Sequence, residues 1–202
     1  KSRGLMTLIY LVRHGRTDQL GRQLCGNLPG IHLNEEGRNQ AQKAAEYLSA
    51  FPITGIHSSP LERTCETAAP IAERLGLVVQ PEDFLRALNF GDYQGKGEEL
   101  TTDALWQQYL SNPAGIRFPH GESTAEARQR MAAGLDSLSQ KYEPEQSIVC
   151  VAHCEVLRLA ICHAIQLPME HLHRLTIDPA SISLVEWTAE RKSLRMLNYS
   201  PA

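Results

Sequence analysis

Apolar residues along this chain fall into two alternating patterns: short unbroken runs, and stretches in which they recur every three or four positions. The unbroken runs Leu8-Ile9-Tyr10-Leu11-Val12 and Ser147-Ile148-Val149-Cys150-Val151-Ala152 read as strands buried on both faces, as in a parallel sheet. From Asn34 to Ala50 the pattern turns helical, with a cap at Asn34, acids Glu35 and Glu36 in the first turn, and Ala41, Ala44, Ala45 and Leu48 on one face. Gly55 to Ser58 reads as a short strand, and Pro60 suits the first turn of a helix that runs to Leu75 and stops at Gly76. A further helix is expected from Glu155 to Ile165, ending before Pro168. Weaker signals place strands at 77–80, 181–187 and 194–197 and helices at 103–110 and 123–140. Alternating strands and helices predict a single three-layer α/β domain over residues 1–202, with a mainly parallel central sheet and helices on both faces.

The segment from Phe84 to Glu122 breaks this rhythm. It is rich in Gly, Pro and polar residues, with periodicity only around Leu105, Trp106 and Tyr109. A connection of that length in a compact domain is expected to be a lid or binding insertion over a site.

Composition narrows the class of partner. With 42% hydrophobic and 21% charged residues and a net charge of −3, the chain offers no electrostatic reason to bind nucleic acid or a membrane surface. Its apolar runs are far shorter than a spanning helix needs, and no signal-peptide core is seen, so a cytoplasmic location is expected, as a monomer or homodimer. The five cysteines lack paired spacing and are expected to be reduced thiols. His171 and His173 have no third ligand at a sensible spacing and read as a solvated surface, so neither a metal nor another cofactor is expected.

Candidate chemistry gathers where strands end. Arg13-His14-Gly15, Ser58-Ser59-Pro60-Leu61-Glu62-Arg63-Thr64 and Ala152-His153 each lie at a strand end or the turn after it, where open α/β sheets bind ligands. Two histidines and two arginines so placed suit phosphoryl transfer to an imidazole. Guanidinium forks hold the phosphate oxygens while a neutral ring nitrogen attacks in line, and no metal is needed.

Together with Leu33-Asn34-Glu35-Glu36-Gly37, Thr67-Ala68, Phe90-Gly91-Asp92-Tyr93, Gly121-Glu122-Ser123 and Leu197-Asn198, these segments resemble the histidine phosphatase superfamily, also called phosphoglycerate mutase-like, over nearly the whole chain. The resemblance implies that His14 is the phosphorylated nucleophile and that Arg13, Arg63 and His153 complete its phosphate pocket. Arg16 and Thr17 are expected at its rim, and Asn27 and Glu122 near phosphate or substrate. It implies hydrolysis of a small phosphorylated metabolite, as in alpha-ribazole phosphatase-like and broad-specificity members. A mutase, a phosphohistidine protein phosphatase and a catalytically impaired phosphate-binding module are the other readings.

Two positions depart from the family pattern. The family's usual acid position is Ala87 here, and Gln94 stands where a second glutamate is common. The second histidine is followed by Cys154-Glu155 instead of Gly-Gly, which raises Glu155 as a relocated proton donor, with Glu122 and Asp92 as weaker candidates. The competing reading of Glu155 is a first-turn carboxylate stabilising a helix N-terminus.

Overall fold

A computed structural model describes residues 6–202. Six strands form one sheet in the order β3-β2-β4-β1-β5-β6: β1 (Thr7–Arg13), β2 (Ile53–Ser58), β3 (Val79–Pro81), β4 (Ser147–Ala152), β5 (Ile182–Trp187) and β6 (Lys192–Tyr199). Strands β3, β2, β4 and β1 are mutually parallel, while β5 and β6 run antiparallel at one edge. The helices are α1 (Glu35–Leu48), α2 (Glu62–Leu75), α3 (Ala104–Ser111), α4 (Thr124–Ser139) and α5 (Cys154–Ala164).

The two faces of β1 and β4 carry different cores, because successive side chains of a strand point to opposite sides. Tyr10, Val12, Val149 and Val151 pack with Ala44, Ala45 and Leu48 of α1 and Ala68 and Ile71 of α2. Ile9, Leu11, Ile148 and Cys150 pack on the other face with Met131 and Leu135 of α4 and Val156 and Ala160 of α5. Each fully buried Ile or Leu contributes on the order of 1.5–3 kcal/mol. Burial on both faces makes the runs unbrokenly apolar and leaves polarity to the strand ends.

Asn34 caps α1 as its sequence predicts, its side chain accepting from the Gly37 backbone N–H at 2.9 Å. Gly76 ends α2 in the left-handed conformation at φ 66°. The start of α2 differs from expectation. Leu61 keeps extended dihedrals, with ψ 145°, so Pro60 lies before the first turn and the helix begins at Glu62. Strand β3 is also shifted, to Val79–Pro81, because its pairing begins only where Val79 lies opposite Ile56.

Strand register positions the site. Arg13 lies opposite Ala152 and Ser58 opposite Val151, so the carboxyl ends of three neighbouring strands stop nearly level. The backbone continues this alignment by one residue: the His14 N–H donates to the Ala152 carbonyl at 3.0 Å and the Ser59 N–H to the Val151 carbonyl at 3.0 Å.

Candidate active site

Because the strands end level, the residues after them share one cavity of about 950 Å³, whose lining includes Arg13, His14, Thr17, Arg63 and His153. The His14 and His153 rings lie 5.2 Å apart between centroids, tilted by 59°. His14 Nδ1 sits 2.8 Å from the Gly15 carbonyl oxygen. A carbonyl only accepts, so this contact puts the ring proton on Nδ1 and leaves the Nε2 lone pair free. Burial, then the charges of Arg63 and Arg13, push the His14 pKa down to about 3. The ring is therefore neutral near pH 7.

His153 is held differently. Its Nε2 lies 2.9 Å from Ser59 Oγ, while its buried Nδ1 has no hydrogen-bond partner. The Leu61 N–H donates to the same hydroxyl oxygen at 3.5 Å, which ties the Ser59 side chain to the turn before α2. Burial first, then Arg63 and His14, hold this ring well below the ordinary histidine pKa. An unpartnered buried ring nitrogen beside His14 suits a polar ligand.

Both guanidiniums are anchored by backbone carbonyls. Arg13 donates from one terminal nitrogen to the Ile177 carbonyl at 2.6 Å, and its buried Nε has no partner. Arg63, only 2% exposed, donates to the Gly26 carbonyl at 2.6 Å. Among the described residues neither pairs with a carboxylate, so their charge remains available to the cavity.

The turn carrying His14 is fixed by a close backbone approach. A Cβ on Gly15 would lie 2.5 Å from the Gly37 carbonyl oxygen, and one on Gly37 would lie 2.1 Å from that of Arg16. The Gly15 N–H donates to Thr67 Oγ1 at 3.0 Å, tying the turn to α2. Ser59 and Thr67 thus support the two histidines. The motif strings contain both residues, but spacing alone does not reveal their roles.

Not every expected residue lies in the cavity. Thr17 does, and it is 4% exposed. Arg16 points away and pairs with Glu36 at 3.3 Å, because Gly15 and Gly37 bring the start of α1 against its backbone. Asn27 braces the wall: its Nδ2 donates to the Ala87 carbonyl at 3.2 Å, and its backbone N–H donates to Gln94 Oε1 at 2.7 Å. Glu122 is bound to Arg130 at 2.6 Å and accepts from the Asn89 N–H, so it serves the loop behind the cavity instead of a substrate. Arg130 also donates to the carbonyls of Phe84, Arg86 and Ala87, a role no sequence signal announced. Asp92 pairs with exposed His120.

Glu155 lines the cavity but is not arranged to donate a proton. Its carboxylate accepts from Tyr109 Oη at 2.5 Å and pairs with Arg158 at 2.7 Å and His173 at 3.5 Å. Burial alone would raise its pKa, yet the His173, Arg158 and Tyr109 contacts outweigh that and bring it down to about 2. The carboxylate is ionised at neutral pH, which corrects the expectation of a relocated acid. His173 is likewise no solvated residue, since its Nδ1 also meets the Leu110 carbonyl at 3.1 Å. The 84–122 segment supplies the opposite wall through Ala87, Leu88, Phe90, Trp106 and Tyr109.

Comparison with known proteins shows the family. Residues 9–200 match the model of the histidine phosphatase superfamily (branch 1), and the chain belongs to that family. It is 30% identical over 201 residues to a bifunctional protein of Mycobacterium tuberculosis, a match covering 98% of this chain but 55% of that protein, so the chain spans about half the length of that relative. It is 28% identical to a putative phosphoserine phosphatase of Hydrogenobacter thermophilus, with 96% of each covered. A solved mycobacterial glucosyl-3-phosphoglycerate phosphatase superposes with a TM-score of 0.84 at 29% identity, covering 96% of this chain and 99% of that one. Among the described residues no helix is long and apolar enough to cross a membrane.

Proposed function

We propose that this chain hydrolyses phosphate monoesters of small metabolites through a phosphohistidine formed on His14. The observation that carries the reading is the pairing of a neutral His14, its Nε2 free, with the unpartnered His153 Nδ1 and two guanidiniums that have no carboxylate partner. In the first step Nε2 attacks phosphorus in line and the ester oxygen departs. Arg13, Arg63 and the His153 N–H hold the equatorial oxygens as charge spreads over them. In the second step water attacks the phosphohistidine, releasing orthophosphate and neutral His14. Helix α5 begins directly after His153, so its positive end adds to the field on the phosphoryl group. The relatives named phosphatases support the same reaction class.

The test is steady-state hydrolysis of para-nitrophenyl phosphate, without added metal, by wild type and by His14→Ala. The reading expects turnover that is lost in the variant. Turnover retained at the wild-type level would overturn it.

A further inference from the structure

We infer that the substrate's leaving group is an aromatic hydroxyl, so that the site acts on aryl phosphate monoesters in preference to alkyl ones. This deepens, and rests on, the phosphohistidine reading of the same cavity. Two independent features of the lining point to it.

The first is the lack of a proton donor. Glu98 and Glu155 are the two carboxylates among the described lining residues. Glu98 is exposed at the rim, and Glu155 is consumed by Tyr109, Arg158 and His173. Tyr109 gives its hydroxyl proton to Glu155, and both His173 nitrogens are engaged. Ala87 presents only a methyl group to the cavity. The other lining donors are engaged as well, the Cys25 and Cys154 thiols with the Gln23 and Ile177 carbonyls and Lys96 over the Tyr93 ring, so the P–O bond must break with the electron pair leaving as an oxyanion. A phenolate, whose conjugate acid has a pKa of about 10, leaves readily; an alkoxide does not.

The second feature is the wall. Leu20, Leu24, Leu88, Phe90, Trp106 and Leu110 line the same cavity as the two histidines and two arginines, and about 950 Å³ far exceeds what a phosphate alone would fill. Cavities lined this way bury the apolar body of a ligand, and aromatic side chains favour an aromatic ring.

The step balances with no further reactant. The His14 Nε2–P bond forms as the P–O(aryl) bond breaks, and the phenolate takes a proton from bulk water after departure. Water then attacks phosphorus, the N–P bond breaks, and its proton passes to solvent.

The experiment compares kcat/KM for phenyl, naphthyl and phenethyl phosphate and for acetyl phosphate, using wild type, Ala87→Glu and His14→Ala. Phenethyl phosphate keeps the ring but has an alkyl leaving oxygen; acetyl phosphate keeps a good leaving group but has no ring. We expect phenyl over phenethyl by about a hundredfold or more, the range a missing acid accounts for. We also expect a KM for naphthyl phosphate well below that for acetyl phosphate. Ala87→Glu should raise phenethyl turnover at least about tenfold and so narrow the phenyl-to-phenethyl ratio. Equal kcat/KM for phenyl and phenethyl phosphate in wild type, with all turnover lost in His14→Ala, would overturn this inference and leave the phosphatase reading intact. No turnover of any ester by wild type would overturn both.

Discussion

The hydroxyl of Tyr109 lies 2.5 Å from a carboxylate oxygen of Glu155, joining α3 in the segment that walls the cavity to the first turn of α5, directly after His153. Burial and the adjacent Glu155 charge raise the Tyr109 pKa well above its ordinary value, so the phenol remains the donor. Arg158 and His173 complete the cluster from α5 and the turn at Met169–Arg174. Glu155 thus fastens α3 and the Met169–Arg174 turn to the start of α5.

If so, Glu155→Gln weakens the fastening without changing substrate preference. It should lower stability by about 1–3 kcal/mol, since Arg158 loses its carboxylate partner. The ratio of aryl to alkyl turnover should stay the same. Urea unfolding and paired rate measurements check this, and a loss confined to alkyl esters would make Glu155 the proton donor after all.

Arg63 is buried with its charge aimed at the cavity and one nitrogen fixed on the Gly26 carbonyl. Arg63→Ala should cut kcat/KM by about a hundred to a thousandfold, the usual loss for a preorganised transition-state donor. Arg63→Lys should recover only part of it, because an ammonium lacks the planar fork.

The buried histidines make stability pH-dependent with a definite sign. His14 has a pKa of about 3 when folded against 6.5 when unfolded. Below 6.5 the unfolded chain binds a proton that the folded one refuses, so stability is full above 6.5 and is lost as pH falls toward 3. Wild type should lose about 1–2 kcal/mol relative to His14→Phe between pH 7 and pH 5, allowing for the opening of His14 onto the cavity. Denaturation curves of both proteins at the two pH values measure it. A difference that does not change with pH would mean that His14 titrates normally.

Gly15→Ala tests the backbone approach beneath the nucleophile. Its methyl would meet the Gly37 carbonyl at 2.5 Å, and neither backbone can yield without moving His14. A destabilisation of about 1–3 kcal/mol is expected. A fall in kcat disproportionate to any change in KM should accompany it, read by thermal unfolding and steady-state kinetics.

Strands β1 and β4 were legible because burial on both faces demands unbroken apolar runs, and their ends marked His14 and His153. Asn34 and Gly76 gave α1 and α2 their boundaries through local capping chemistry. The start of α2 was misplaced because Pro60 tolerates both a first turn and the extended step before one. Side-chain destinations were less legible. Arg16 and Glu122 lie in or beside motif segments yet turn to Glu36 of α1 and Arg130 of α4, contacts that the motif spacing does not specify. The Tyr109–Glu155–Arg158–His173 cluster draws on three separated elements, so no local pattern could announce it.

The most direct test of the account is rapid acid-free quenching during para-nitrophenyl phosphate turnover, followed by peptide mapping of the phosphoryl group. An acid-labile, alkali-stable phosphate is expected on the peptide carrying His14, forming and decaying at rates compatible with turnover and absent from His14→Ala. Phosphate on another residue, or full turnover with no phosphoenzyme in wild type and undiminished rates in His14→Ala, would contradict it.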